Sequence, residues 1–507
     1  MSTRRDFLKT SAQAGAVGAA AAAGDFAFLN NLPPLSAQDV RRALAPVQAD
    51  VEPLVRLIED TAAERLLPAM AERIRNGVSY QQILAALMLA GVRGIQPRPV
   101  GFKFHAVLVV NSAHLASLAA ADRDRWLPLF WGMDNFKRSQ ARNAREGDWR
   151  MSVLADNRLP APEHAVRNFR TAMDGWEVEN ADRAIAQVAR VASLNEVYEM
   201  MWRYGARDFR DIGHKAIFVA NSYRTLVTIG WRHAEPILRS LAYALVDSGR
   251  DANPARNDHA ADRPGRDNLR RLTRIRAGWQ RGRVTREAVT DLLATLRNAS
   301  AADAAEAVLT KINERIDPSC VWDAIFLFAG ELLMKQPGIV GLHTITTMNA
   351  LAFGYQTTAS DETRRFLMLQ AASFLTMFRA RMGELPANPR IDTLEAGELM
   401  GQGQAAVDDI FATASTNKLQ AARKTLALLT NQASQLAPLM TTARRLIFAK
   451  GNDSHDYKFS SAALEDFYHV SPAWRNRFLA ASTYWLKGSG GADSPVLRRT
   501  RAALGNN

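Results

Sequence analysis

Residues 363–382 read Thr363-Arg-Arg-Phe-Leu-Met-Leu-Gln-Ala-Ala-Ser-Phe-Leu-Thr-Met-Phe-Arg-Ala-Arg-Met382. Phe366, Leu369, Ala372, Phe374, Leu375 and Phe378 recur largely three residues apart, the stripe of a helix that buries one face. Val51 to Arg73 repeats the pattern with Leu54, Leu57, Ile58, Ala62, Leu66 and Ala69, and so do Ala184–Tyr204 and Leu419–Leu446. Alternating Val/Ile/Thr runs closed by tight hairpin turns are absent. The chain reads as all-α: a large multi-helix single domain, or two packed helical halves, around a histidine-containing core.

At 507 residues with 47 % hydrophobic residues, the chain is long enough for a large core. The polar stretch from Gly249, rich in Asp, Asn, Arg and Pro, carries no apolar period and reads as a linker over 249–270. It divides an N-terminal half (38–248) from a C-terminal half (271–487), and the Gly/Ser-rich, then basic, stretch 488–507 reads as a flexible tail. Residues 3–9, Thr-Arg-Arg-Asp-Phe-Leu-Lys, followed by the Ala/Gly-rich run Ala12–Ala23, resemble a twin-arginine export signal in Arg4, Arg5, Phe7 and Leu8. Cleavage after Ala23 or Ala37 is expected, the latter leaving about 470 residues. The expected partner is the twin-arginine export machinery and the expected location periplasmic or extracellular, or membrane-tethered with an uncleaved signal. Asp25 interrupts the apolar run well short of the roughly 20 residues a spanning helix needs, so no stable membrane span is expected.

The formal charge of +13 is spread along the chain. Its densest run, Arg263–Arg286, has little aromatic interleaving and reads as a solvated linker and helix start rather than a nucleic-acid groove. No phosphate-binding loop, Gly-x-Ser-x-Gly elbow or His-Glu-x-x-His helix occurs. The single cysteine, Cys320, excludes a disulfide within the chain and a covalently attached c-type haem, and reads as the buried start of a helix.

Nine histidines remain, five of them (His105, His114, His214, His233, His343) in apolar helical contexts, with His455 in a polar loop entering a helix. Buried imidazoles need partners for both ring nitrogens, so several together imply a polar network or a site. His105, His214 and His343 are each followed six or seven residues later by an asparagine (Asn111, Asn221, Asn349), a weak internal echo. Asp211-x-x-His214 and Asp466-x-x-His469 each set a carboxylate and an imidazole on one helical face, which makes Asp211, His214 and His343 metal-ligand candidates. Tyr204, Arg210, Lys215 and Arg224 surround His214 in the sequence and are candidates to hold a small anionic or phenolic ligand, with His214 moving a proton. A salt-bridged helix junction is the alternative for this segment.

Leu342-His-Thr-Ile-Thr-Thr-Met-Asn, Ser454-His-Asp-Tyr-Lys-Phe, Phe104-His105 and Gly213-His214 resemble the histidine-bearing helices of the questin-oxidase-like proteins, over about residues 100–490. The resemblance implies a helical fold, Baeyer–Villiger-type oxidation of the kind that acts on polyketide anthraquinones, and His105, His214, His343 and His455 around one cavity. It does not identify the catalytic member. The leading expectation is an exported oxidoreductase or oxygenase, with His214 and His343 as acid/base or oxyanion-stabilising groups and His105 and His455 in support. A metal or a reduced nicotinamide are the cofactor classes left open. A non-enzymatic helical scaffold or ligand-binding protein is the second expectation, and a metal-dependent hydrolase the third.

Overall fold

The computed structural model describes residues 49–505, so the stretch 3–9 read as an export signal lies outside the described residues. Twenty-three α-helices and no strand form among them. Residues from Pro46 onward make one compact unit, so 249–270 does not link separate bodies. No helix among the described residues is long and apolar enough to cross a membrane.

The 363–382 stretch lies in the helix Asp361–Met382, capped at its start by the Ser360 hydroxyl, which accepts from the Thr363 N–H at 3.2 Å. All six residues of its stripe are buried. The helix is buried on nearly every side, which sequence periodicity does not reveal, and polar residues share the burial. Gln370 and Ser373 are fully buried, and their polar atoms bond to Ala206 O, Ala301 O and the Asn268 amide. The Val51–Arg73 stripe spans two helices, Glu52–Asp60 and Ala63–Arg75, because the chain breaks at Thr61 and exposes Ala62. Cys320 sits buried near the start of the helix Pro318–Lys335.

Two segments that read as loose in the sequence are structured. Residues 249–270 contain much of the helix Arg263–Arg271, and Asp251 and Asp262 on either side of the loop bond to Arg210. In the tail, the helix Pro495–Leu504 buries Val496 and Leu497 against the helices Ala63–Arg75 and Leu127–Arg145, and Arg499 pairs with Asp134 at 2.7 Å. Its basic residues face outward while its apolar minority packs, a division that composition hides.

Five helices build the histidine core, labelled in chain order: α1 (His105–Leu108), α2 (Val110–Leu118), α3 (His214–Ile229), α4 (Ile339–Thr357) and α5 (Ser454–Asp466). Helix α2 packs on α3 and α5, and α4 packs on the same two, closing a ring. The short α1 leads into α2, and α1, α3, α4 and α5 each carry a histidine near the N-terminus.

His114 and His233 are buried elsewhere in the core. His114 bonds to the Tyr80 hydroxyl at 3.0 Å, and the His233 ring nitrogens meet no protein partner among the described residues. Burial pushes both imidazoles down from 6.5 to about 4. The unfolded chain takes up these protons near pH 6.5 while the folded chain refuses them until about 4, so stability is present above pH 6.5 and lost as pH falls through that window. Each group contributes on the order of 3 kcal/mol across it. Chemical denaturation at stepped pH should show this acid loss, and His233→Leu should make it shallower; equal slopes in the two proteins would refute the assignment.

Candidate functional site

His105 and His214 open α1 and α3, His455 is the second residue of α5, and His343 lies one turn into α4. The ring closure brings all four together, with the candidate ligand atoms within 4.8 Å of one another. His214 is central: its Nε2 lies 3.0 Å from Nε2 of His105 and 2.9 Å from Nε2 of His343. The His455 ring stands against those of His105 and His343 at centroid distances of 4.4 and 5.1 Å, and its Nε2 is buried without a partner among the described residues.

The outward nitrogens explain the inward ones. Nδ1 of His105 lies 2.8 Å from Phe102 O, that of His214 2.5 Å from Asp211 O, and that of His343 2.6 Å from Ile339 O. A carbonyl oxygen only accepts, so each of these Nδ1 atoms carries the proton and each neutral ring turns the lone pair of Nε2 inward. Nδ1 of His455 is fixed in the same sense by the Asp453 carboxylate at 2.5 Å. Burial, the Lys458 charge and the neighbouring imidazoles hold His105, His214 and His343 well below the ordinary histidine range, so the rings are neutral.

Left-handed backbone delivers two of these acceptors. Phe102 has φ 47° beside Gly101 at φ 137°, and Asp211, Ile212 and Gly213 follow one another at φ 51°, 47° and 80°. A β-branched residue in this region is an outlier, and non-glycine residues there are strained by about 1–3 kcal/mol each. Buried charges hold the second turn. Arg210 bonds to Asp251 at 2.7 Å and Asp262 at 2.6 Å, and Lys215 bonds to Asp208 at 2.9 Å and Asp247 O at 2.6 Å. Gly101 leaves room for the His214 ring, because a Cβ there would stand 3.3 Å from His214 Cε1.

The candidate residues therefore divide. His105, His214, His343 and His455 converge. Arg210 and Lys215 bond within the ion-pair network behind His214, the arrangement of a salt-bridged helix junction. Asp211 contributes its carbonyl oxygen rather than its carboxylate, which stands outside the cluster, and burial pushes that carboxyl up to about 6. Asp466 pairs with His469 and the Asn349 amide, away from the four rings. Tyr204 bonds to Asp174 and lines a cleft of about 870 Å³ with Trp176, Phe366 and four arginines, a cleft that none of the four histidines lines. Arg224 bonds to Glu465 at 2.6 Å and to Asn349 at 3.2 Å.

One group of the site stands in the Ser454-His-Asp-Tyr-Lys-Phe segment but is given no role by the sequence reading. Lys458, one turn beyond His455, is 3 % exposed and places Nζ 3.5 Å from Nε2 of His214. Burial pushes its ammonium down to about 7. The available signal is its spacing of three from His455, which puts both on one face of α5.

The donor set suits a metal ion. Imidazole nitrogens bind at about 2.0–2.1 Å, which spaces the corners of a tetrahedron by about 3.4 Å, within the range of separations found here. Outward acceptors that fix each ring are the usual second layer of such a centre. No protein-family model, curated protein or solved structure matches the chain, so the site is read from its own chemistry.

Gly213 is the most exacting position of the support. A Cβ there would lie 2.2 Å from Thr347 Oγ1 on α4, in a left-handed conformation that alanine resists. Gly213→Ala should therefore destabilise the fold by on the order of 2–3 kcal/mol and displace His214. Denaturation with imidazole NMR tests this; an unchanged midpoint with unperturbed histidine resonances would show that the turn is not under this constraint.

Proposed function

We propose that the protein is an oxidoreductase whose reaction centre is one transition-metal ion held by Nε2 of His105, His214, His343 and His455. The supporting observation is the direction of the lone pairs: three backbone carbonyls and one carboxylate fix the protons outward, leaving four acceptors within 4.8 Å of one another, two pairs of them at 2.9–3.0 Å. A cation between them relieves that repulsion. Imidazole donors suit iron, copper, zinc and nickel.

When bound, such an ion supplies electron-accepting chemistry. The chain's own groups favour that use over hydrolysis. Four neutral ligands, the positive helix ends and Lys458 all favour the less charged, reduced state of an ion. A hydrolytic centre pairs an open coordination position with a general base, commonly a carboxylate. Here the clustered ligand set holds no carboxylate, and Asp453 is engaged with His455 on the outer side.

The resemblance to questin-oxidase-like proteins supports the same reaction class. The 870 Å³ cleft offers a phenolic or anionic aromatic substrate the ring surface of Trp176, Tyr204 and Phe366 and the guanidinium groups of Arg170, Arg203, Arg207 and Arg266, set among the carboxylates of Asp174, Glu199 and Asp262. The Trp176 ring centre of that cleft lies 5.0 Å from Nζ of Lys215, the residue after His214. The twin-arginine reading of residues 3–9 supports an exported protein, since that route carries chains already folded and able to retain a buried ion.

Elemental analysis of the full chain, produced with iron, copper and zinc supplied, tests the reading. About one redox-active ion per chain is expected, and His214→Ala or His343→Ala should lose at least ten-fold in metal affinity while keeping the helical circular-dichroism spectrum. A folded wild-type protein that stays metal-free, or that binds zinc alone, would overturn it.

A further inference from the structure

The echo of histidine and asparagine becomes a second layer in three dimensions. Asn111 on α2, Asn221 on α3 and Asn349 on α4 lie six or seven residues beyond their histidines, about 9–10 Å along each helix. All three line one chamber inside the ring, with Ser112, Arg224 and Lys458. The chamber has about 10 Å³ open to a water-sized molecule, room for roughly one water.

Its polar lining is incomplete in a particular way. Asn111 and Ser112 are 2 % and 3 % exposed, and neither side chain makes a hydrogen bond with another described residue. Lys458 is a buried cation without a carboxylate in ion-pair range. Its one polar neighbour among the described residues is His214 Nε2 at 3.5 Å, a long contact. The nearby acids are already engaged: Asp453 by His455, Glu465 by Arg224 and Asn349, and Asp466 by Asn349. An unpaired buried ammonium is costly, and the four helices that surround it all point their positive ends toward the histidine layer beside it. Free donors, a net positive field and a space for one or two heavy atoms define an anion site.

We propose that this chamber binds a small monoanion of one or two heavy atoms, held by the Lys458 ammonium, the Asn111 amide and the Ser112 hydroxyl. It adjoins the four-histidine centre and is independent of whether that centre holds a metal. Halides and reduced-oxygen anions such as superoxide or hydroperoxide share the required charge and size.

Crystals of the full chain soaked in bromide, read by anomalous scattering, test the site. A peak beside Lys458 Nζ and Asn111 is expected in the wild type and absent in Lys458→Met. In solution, bromide should raise the melting temperature of the wild type at constant ionic strength, with affinity reduced at least ten-fold in Lys458→Met and in the near-isosteric Asn111→Asp, whose carboxylate repels an anion. An empty chamber in the soaked wild type, bromide density that persists in Lys458→Met, or binding seen only at crystal concentration would overturn the proposal. Cyanide, a diatomic stand-in, separates the sources: displacement of bromide identifies the reduced-oxygen size class, and retention of bromide identifies a halide. A metal between the imidazoles is read at its own absorption edge. An empty histidine centre with bromide in the chamber thus refutes the metal reading alone, and the reverse pattern refutes the anion site alone.

Discussion

Four imidazole lone pairs aimed at one point form the interaction on which the rest of the structure depends. Nitrogen acceptors 2.9–3.0 Å apart repel, and three of them belong to rings kept neutral by burial. The surrounding fold must resist that repulsion. It does so through hydrogen bonds on the far side of each ring and through a closed ring of helices that has no free edge along which to open. The strained turns at Phe102 and Asp211–Gly213 follow from the same demand, because they set a carbonyl against Nδ1 just before the helix begins.

The charged segment before α3 is the foundation of this arrangement. Two adjacent left-handed non-glycine residues would relax if their flanks were free. Arg210 ties one flank to Asp251 and Asp262, and Lys215 ties the other to Asp208 and Asp247 O. All of these groups but the exposed Asp251 are buried, so the pairs Arg210–Asp262 and Lys215–Asp208 are weakly screened and breaking one partner leaves an uncompensated charge. The polar 249–262 stretch is therefore a structural counterpart to α3, although it sits some forty residues away in sequence.

The same dependence on distant partners decides what is legible in the sequence. Helices whose apolar residues keep a regular spacing, such as Asp361–Met382, announce themselves through local physics. The histidines are legible as a set because polar rings in apolar stretches demand partners. Their convergence is not legible from the residues alone, since it depends on how α3, α4 and α5 close a ring. The dense run from Tyr204 to Arg224 looks like a ligand site because most of its polar groups have no visible partners; those of Arg210 lie in a segment with no apolar period, which reads as a linker, and those of Tyr204 and Arg224 lie on distant helices. Asp211 draws attention for its carboxylate, whereas the fold uses its carbonyl, a group every residue possesses. Lys458 is easily overlooked because a lone lysine in a helix is ordinarily solvated, and its burial is a property of the packing alone.

The direction of the helices gives the site its character. From the histidine layer to the asparagine layer, α2, α3, α4 and α5 advance in the same sense, so four positive ends gather where the rings meet. Antiparallel neighbours would cancel these dipoles; this ring adds them. The sum disfavours protonation of the imidazoles, which preserves their lone pairs for a cation. It also disfavours a cation unless negative charge accompanies it. A pure four-imidazole centre in such a field thus calls for an anion close by, and Lys458 adds to that call instead of answering it. The two layers are then electrostatically complementary: a cation satisfies the repelling lone pairs, and an anion beside Lys458 offsets the field that the cation and the helix ends create. Lys458 couples the two layers directly, because its Nζ stands 3.5 Å from Nε2 of His214 and an anion bound to it would sit beside the imidazole centre.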